Sequence, residues 1–325
     1  RMGELADEFR DLAAWADGSD PLYAHLCRHI AEDHDLLELA KTVPTGRQAP
    51  HLLLAAVQYL LDRNGEHRLS QYYPTLTDTV GCNSTAEIAQ PGCRSSPRTY
   101  SQQYEPPRKP DDNCYPAFRE FCLENASDLR PILRTRRTQT NSVRRSAVLY
   151  PAIAHVAART DDPIAIVELG SSAGLNLLFD RYRYDYDGRV IGSSDAPFTI
   201  ESEIRGGDPP LPESPPDVHS RVGIDLNPLD VAAQANVVEQ GPQSSQNARS
   251  DDADWLRALV WPSHTERRRL LEGALQVAST EPPRLIEGDL RDDLPAVLDD
   301  IPDDVPVCVL NTLVLYQVPE SVCVD

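Results

Sequence analysis

The clearest chemical signal in the sequence is a turn of small residues that directly follows a short apolar run. The run covers 164–169, and the turn after it is Gly170-Ser171-Ser172-Ala173-Gly174. β-Branched residues that end at a glycine predict a buried parallel strand, which leads through a tight turn into a helix. Small side chains let a ligand approach the backbone, and the N–H groups of the first helical turn point towards it. We therefore predict a cofactor site formed by Glu168 and the five turn residues. The alternative is a tight connection that binds nothing.

Polar residues also end three later apolar runs, which cover 221–225, 283–289 and 306–311. Ligands of open parallel sheets bind outside the carboxyl ends of the strands, where such residues meet. Asp225 is therefore predicted to accept hydrogen bonds from ribose hydroxyls, and Asp289 from the exocyclic amine of adenine. Leu226 and Leu290 directly follow these acids and belong to the same predicted cofactor site. The alternative is that both acids are solvated surface charges.

A polar segment before the helix that leads into the first strand is the predicted substrate-binding region. It contributes two guanidinium and two amide side chains, those of Arg136, Arg137, Gln139 and Asn141. Such groups bind carboxylates and acidic substrates. The alternative is a helix cap with surface salt bridges.

A row of tyrosines offers a further candidate for substrate binding. If 182–186 is extended, Tyr182, Tyr184 and Tyr186 share one face. Tyr182 is therefore predicted to line a substrate pocket, and the alternative is a half-buried strand face that only packs. No general base stands out, and the only catalytic candidates are Asn311 and Asp180.

The order of these features resembles class I S-adenosylmethionine-dependent methyltransferases. Residues 168–174 look like their first motif, with Ser172 in place of the middle glycine. Residues 223–228 and 287–290 resemble their second and third motifs. The resemblance implies S-adenosylmethionine as the cofactor, with Glu168 near the methionine ammonium, Asp225 at the ribose and Asp289 at the adenine. It also implies that the substrate segment crosses over the cofactor crevice.

A narrower resemblance is to the uncharacterised family known as domain of unknown function 2332. It rests on four long and specific stretches, 135–141, 170–177, 180–186 and 221–228. The likeness covers nearly the whole chain outside an insertion at 77–113. It implies a methyltransferase-like fold and brings no established activity.

Hydrophobic periodicity predicts an α/β protein with a helical N-terminal region and a Rossmann-like, mainly parallel sheet. The predicted regions are 1–142, helical with a disordered or extended insertion at 77–113, and 143–325, with an inserted hairpin region at 182–218. Helices are expected over 4–17, from Pro21, and over 35–41, 50–63, 115–135, 143–159 and 252–279 with a break at Pro262. The residues from Leu226 to Leu229 are expected to open the helix after the second strand. Class I methyltransferases usually have three strands beyond the fourth, so either the chain is truncated after Asp325 or the N-terminal region completes the sheet.

Two other function classes compete with methyl transfer. A nicotinamide-dependent oxidoreductase ranks lower, because the G-x-G-x-x-G spacing is absent and Asp225 follows the turn by about 50 residues instead of about 20. A Rossmann-like nucleotide-binding or interaction module without catalysis is the main alternative. His25 and His29 have the spacing of a metal pair, but no third ligand is predicted, so we expect no metal site.

Composition limits the partners of the chain. The 325 residues carry 31 Lys+Arg and 51 Asp+Glu, a net charge of −20, and only two of the cations are lysine. This excess of acid disfavours nucleic acids and anionic membranes, and it is typical of proteins that work in concentrated salt. Seven scattered cysteines, the absence of a signal peptide and the absence of a long apolar run favour a reduced, cytoplasmic setting. The expected partner is a small-molecule substrate or another methyl acceptor, and the oligomeric state is left open.

Overall fold

The computed structural model describes residues 2–65, 67–77, 108–139, 141–160, 162–212, 214–232, 251–312 and 314. The chain divides into two compact units. The first consists of Arg1–Thr138 and Ala258–Thr265, and the second of Gln139–Arg257 and Glu266–Asp325. Most of the insertion expected at 77–113, from 78 to 107, lies outside the described residues.

The described part of the first unit is helical. Its α-helices are α1 Met2–Ala16, α2 Pro21–Ile30, α3 His34–Ala40, α4 Ala49–Asn64, α5 Pro74–Thr77, α6 Cys114–Glu124 and α7 Ala126–Thr135. Asp20 caps α2, because its side chain accepts a hydrogen bond from the Tyr23 N–H, and Pro21 occupies the first helical turn. The same carboxylate accepts the Ser263 N–H at 2.8 Å, which ties 258–265 to this unit.

Helices are expected over 115–135, and the structure has two of them there, α6 and α7. Asn125 separates α6 from α7 with a backbone that is not helical. Its side-chain amide donates to the Phe121 carbonyl at 2.9 Å. A short polar side chain that bonds to nearby backbone groups competes in this way with the helical hydrogen bonds.

The second unit contains a four-stranded parallel sheet with neighbouring strands in the order β6-β5-β1-β7. The strands among the described residues of the unit are β1 Ile164–Leu169, β2 Arg183–Tyr186, β3 Arg189–Gly192, β4 Thr199–Ser202, β5 Val218–Asp225, β6 Arg284–Glu287 and β7 Val307–Asn311. The helices are α8 Ser146–Ala157, α9 Asp251–Ala258, α10 Thr265–Thr280 and α11 Leu290–Asp299, with 3-10 helices at Val143–Arg145 and Leu175–Arg181. The predicted α/β class, with a helical N-terminal region and a mainly parallel Rossmann-like sheet, is confirmed.

The strand β1 lies inside the sheet, and all six of its residues are buried. Its apolar side chains share a core with Val222 and Ile224 of β5 and with Val297 of α11. Among the sheet strands, chain order runs outward from β1 to β5 and β6, and then returns to β7 on the other side. The order therefore reverses between β1 and β7, which is where open α/β sheets bind ligands.

The predicted hairpin region forms a separate three-stranded sheet in the order β3-β2-β4. Asp187 and Gly188 join β2 to the antiparallel β3, and both have positive φ, 51° and 90°. Two left-handed residues at this place fit a tight hairpin turn, for which Asp-Gly is a preferred pair.

Two further expectations differ from the structure. Residues 226–232 are not helical, because their N–H groups bond elsewhere: Asn227 donates to the Asp225 carboxylate and Leu229 to the Ser172 carbonyl. All strands of the four-stranded sheet come from the second unit, so the described N-terminal residues do not complete it. The described helices include none that is both long enough and apolar enough to cross a membrane.

Candidate functional site

The carboxyl ends of the parallel strands bring the predicted polar residues to one edge of the sheet. Leu169 of β1 pairs with Ile224 of β5 on one side and with Asn311 of β7 on the other. The Gly288 N–H donates to the Asp225 carbonyl at 3.0 Å, which joins the end of β6 to the end of β5. Glu168, the turn, Asp225, Asp289 and Asn311 therefore lie along the same edge, as a parallel sheet requires.

Glu168 is the most unusual residue at this edge, because it is charged by type and only 1% exposed. The Oε1 atom accepts hydrogen bonds from Asn176 Nδ2 at 3.4 Å and from the Thr312 hydroxyl at 3.3 Å. The Oε2 atom is buried and has no hydrogen-bond partner among the described residues. Burial raises the pKa of Glu168 to about 7, against the lowering effect of these two hydrogen bonds and of the Arg145 charge.

The turn after β1 uses its backbone N–H groups within the protein. Gly170 donates to the Ile224 carbonyl at 2.8 Å, and Gly174 to the Ser171 carbonyl at 2.7 Å. The Ser172 N–H donates to Asp225 Oδ2 at 2.8 Å. These three N–H groups are therefore bonded to the end of β5 and to the turn itself, and ligand binding by the N–H groups of the following helical turn, which starts at Leu175, stays a prediction.

The serine hydroxyl groups of the turn differ from these N–H groups in their hydrogen bonding. Ser171 Oγ and Ser172 Oγ are both buried and have no hydrogen-bond partner in the described part of the chain. Gly223 of β5 makes room for the Ser171 side chain, since a Cβ on that glycine would collide with it. Ser172 adopts φ 53°, a left-handed conformation that is uncommon for residues other than glycine. The turn thus contains two buried hydroxyl groups, and Ser171 lies against Gly223, the residue of β5 that pairs with Glu168.

The segment formed by Gln139 and residues 141–145 makes hydrogen bonds with the turn after β1 and with the end of β5. Gln139 Nε2 donates to the Asn227 carbonyl at 2.8 Å and to Asp225 Oδ1 at 3.3 Å. Asn227 Nδ2 donates back to Gln139 Oε1 at 2.7 Å. Asn141 Nδ2 donates to the Ser171 carbonyl at 2.9 Å. The structure therefore brings two of the four predicted substrate-binding residues to the residues of the predicted cofactor site.

The two arginines of that prediction belong to the first unit. Arg136 accepts a hydrogen bond at its carbonyl from Arg47 Nη1, at 3.1 Å, within that unit. Arg137 is exposed. Binding of substrate by Arg136 and Arg137 stays a prediction.

Asp225 and Asp289 differ in how much of their hydrogen-bonding capacity the protein uses. Asp225 accepts the Asn227 N–H and Gln139 at Oδ1 and the Ser172 N–H at Oδ2, so one of its four acceptor positions is left. Asp289 caps α11 and also pairs with the Arg291 side chain, and hydrogen bonds from Arg291 hold the pKa of Asp289 below its usual value. Asp225 is therefore better suited to its predicted contact with a ribose than Asp289 is to its predicted contact with adenine.

The two leucines beside these acids are placed differently. Leu226 is 64% exposed next to Asp225, and Leu290 is half-buried at the start of α11. Leu226 thus offers an exposed apolar surface beside Asp225.

The model of the family described as uncharacterized protein conserved in bacteria (DUF2332) matches residues 6–99, 93–240 and 244–323. The chain belongs to this family. No curated protein and no solved structure matches the chain. The DUF2332 membership expected from the sequence is confirmed, and the description of the family assigns no activity.

In this DUF2332 chain the two catalytic candidates lie in different places. Asp180 is buried and pairs with Arg221 of β5, which precedes Asp225 by four residues, or about 13 Å along the strand. Asn311 is exposed at the end of β7, at the same edge as Glu168. Catalysis by either residue stays a prediction, and the geometry favours Asn311 because it lies at the ligand-binding edge.

Tyr182 has a structural role in the DUF2332 chain. Its side chain is fully buried, and its hydroxyl donates to the Leu175 carbonyl at 2.6 Å. Tyr184 and Tyr186 are also buried and donate to the carbonyls of Phe179 and Ala147. The row therefore packs as one face of β2, and a substrate contact by Tyr182 stays a prediction.

Four residues of the site were not selected from the sequence. Thr312 directly follows Asn311 and Asn176 comes two residues after Gly174, and their hydroxyl and amide groups were the available signal. Arg145 bonds to Thr312, and Val314 lies against Gly170, where a Cβ would collide with its side chain. Nothing in the local sequence marks these last two, because both contacts depend on β1 and β7 being neighbours.

Proposed function

We propose that the second unit binds S-adenosylmethionine and that the protein is a methyltransferase-like enzyme, with a small molecule or another acceptor as its substrate. The observation that carries this proposal is the group of three buried polar atoms without partners among the described residues, Glu168 Oε2, Ser171 Oγ and Ser172 Oγ. Buried polar atoms are nearly always hydrogen-bonded in folded proteins, so three of them around one turn support a polar ligand.

The charge of the site favours a cationic group over a phosphate. Sites for pyrophosphate use free backbone N–H groups at a glycine turn, and those of Gly170, Ser172 and Gly174 are already bonded within the protein. Glu168 instead offers a buried acceptor oxygen, which suits the ammonium group of an amino acid. The two serine hydroxyls are donors that suit its carboxylate.

The nucleoside end of the ligand would lie towards β5. Asp225 Oδ2 has one acceptor position left for a ribose hydroxyl, and the exposed Leu226 offers an apolar contact for adenine. Asp289 lies at the neighbouring strand end as a possible acceptor for the adenine amine. The bound cofactor supplies the methyl group, and the protein binds and orients both reactants. No general base is assigned.

A second candidate function is a nucleotide-binding or interaction module without catalysis. The observation that favours it is the contact of Val314 with Gly170, because an apolar side chain covers the glycine that a ligand would approach. A nicotinamide-dependent oxidoreductase is less well supported, because the bonded N–H groups count against a pyrophosphate at the turn.

Calorimetric titration in high salt tests the proposal, with S-adenosylmethionine, S-adenosylhomocysteine, adenosine and NAD as ligands. We expect micromolar binding of the first two, and binding of adenosine at least tenfold weaker because it lacks the amino acid. Glu168→Gln should weaken the first two at least tenfold, whereas Glu287→Gln, at an exposed glutamate of β6, should not. Absence of binding by a folded sample would contradict the proposal, and binding of NAD alone would favour an oxidoreductase.

A further inference from the structure

One hydroxyl group links Arg145 to Glu168. Arg145 Nη1 donates to the Thr312 hydroxyl at 2.8 Å and also to the Thr312 carbonyl, at 3.3 Å. The same hydroxyl donates to Glu168 Oε1 at 3.3 Å. A hydroxyl group has a single proton, so accepting the bond from Arg145 leaves that proton to point at Glu168. The guanidinium thus fixes the direction of the hydrogen bond that holds the carboxylate.

Asn176 holds the same carboxylate oxygen from the other side. Its Nδ2 donates to Glu168 Oε1, and its Oδ1 accepts the Ser146 hydroxyl at 3.1 Å, which determines how the amide group is turned. Both hydrogen bonds of the Glu168 carboxylate are therefore made by Oε1, and Oε2 is buried without a partner among the described residues. The side chain is oriented before any ligand binds.

We propose that Arg145 is a positioning residue of this site: through Thr312 it favours the carboxylate form of Glu168 and keeps the unpartnered oxygen directed at the cationic group of the ligand. The inference rests on the proposed function, because it names the residue that controls the acid of the binding site. The ligand class is an ammonium-bearing amino acid group, such as that of S-adenosylmethionine.

The charges around Glu168 show why the arginine matters. Its neighbours on the adjacent strands, Gly223 and Leu310, are uncharged. Asp225 raises the pKa of Glu168 and burial raises it more, whereas the Arg145 charge lowers it. The charge of Glu168 acts on Tyr182, whose pKa is raised mainly by burial, so this tyrosine is neutral. Without Arg145, burial and Asp225 would still raise the pKa of Glu168, and Glu168 would then bind a proton more tightly.

The test measures the ionisation of Glu168 without any ligand. Protein labelled with ¹³C at the glutamate carboxyl carbon is titrated by NMR, and Glu168→Gln identifies the resonance. We expect Arg145→Gln to raise the pH midpoint by about one pH unit, a tenfold gain in proton affinity. Thr312→Val should raise it less, and Thr312→Ser, which keeps the hydroxyl, should leave it unchanged.

Arg144→Gln is the matched control, because it removes the same charge one residue away. The Arg144 guanidinium bonds to the exposed Glu266 at 2.9 Å and takes no part in the contacts of Glu168. An unchanged midpoint in folded Arg145→Gln and Thr312→Val proteins would overturn the proposal. An equal rise in Arg144→Gln would overturn it as well, because the effect would then be one of overall charge.

Titration with S-adenosylmethionine between pH 6 and pH 9 then separates this proposal from the proposed function. Wild-type affinity should fall as pH drops through about 7, and that of Arg145→Gln should fall about one pH unit higher. Absence of binding by the wild type would contradict the proposed function, whatever the NMR result. Binding with the same pH dependence in both proteins would contradict the role of Arg145 alone.

Discussion

The backbone N–H of Ser172 donates a hydrogen bond to the Asp225 carboxylate, with 2.8 Å between N and Oδ2. The same carboxylate accepts the Asn227 N–H at Oδ1, also at 2.8 Å. Asp225 therefore joins the turn after β1 to the segment after β5. The acid predicted to bind a ribose therefore also maintains the shape of the turn after β1.

Asp225→Asn tests this double role, because the amide keeps the size of the side chain and loses one acceptor oxygen. We expect the free energy of unfolding to fall by about 1 to 3 kcal/mol, since a backbone N–H loses a charged partner. Affinity for S-adenosylmethionine should fall at least tenfold. Urea unfolding and calorimetry measure the two effects.

Asp217→Asn is the control for this change, because the exposed Asp217 lies just before the other end of β5. It should alter neither stability nor binding. If Asp225→Asn lowered stability and left affinity unchanged, Asp225 would support the turn without contacting the ligand.

Glu168→Gln should move stability and binding in opposite directions. The pKa of Glu168 is raised to about 7 from an ordinary value near 4.5, so ionisation costs the folded protein free energy. This cost is absent below about pH 4.5 and complete above about pH 7, where it reaches about 3 kcal/mol. The glutamine variant does not ionise, so its stability relative to wild type should rise by up to that amount between pH 4.5 and pH 8.

Urea unfolding at pH 4.5 and pH 8 measures this difference, and Glu287→Gln provides the exposed comparison at the same edge. The affinity for a cationic ligand should meanwhile be lost in Glu168→Gln. A stability difference that does not change with pH would show that Glu168 ionises as an ordinary surface glutamate does.

Val314 tests where a ligand would lie. Its side chain covers Gly170, so Val314→Ala should uncover the glycine and raise the affinity for S-adenosylmethionine several-fold. Val314→Phe should lower it at least tenfold by steric exclusion. Val309→Ala, at an exposed valine of β7, is the control. Equal binding by all three variants would place the ligand away from Gly170.

The charge composition predicts a response to salt. The protein has a net charge of −20, so its acidic groups repel one another. At molar salt the Debye length falls to about 3 Å and this repulsion is screened. Raising KCl from 0.1 M to 2 M should therefore raise the melting temperature by several degrees. Differential scanning calorimetry measures this, with KCl replaced by sorbitol as the control for solvent exclusion. A melting temperature that falls or stays constant with salt would contradict salt adaptation.

The sequence alone determined the parallel strands and the polar residues at their ends. The apolar runs at 164–169 and 221–225 are short, β-branched and followed by turn residues, so their type and order were predictable. Parallel strands necessarily carry the residues after them to one edge, which placed Glu168, Asp225 and Asn311 together. The helix break at Pro262 was also predictable, because proline removes a donor and disfavours a helical residue before it.

Only the tertiary structure decided the chemical state of those residues. Glu168 and Thr312 are 144 residues apart in the chain, and Arg145 and Thr312 are 167 apart, so no local pattern records their contacts. The same is true of the Ser172 N–H: the local sequence does not show its partner, and in the structure it donates a hydrogen bond to Asp225. Burial and partners set the charge and hydrogen bonds of a polar group, and both arise only when distant segments pack around it.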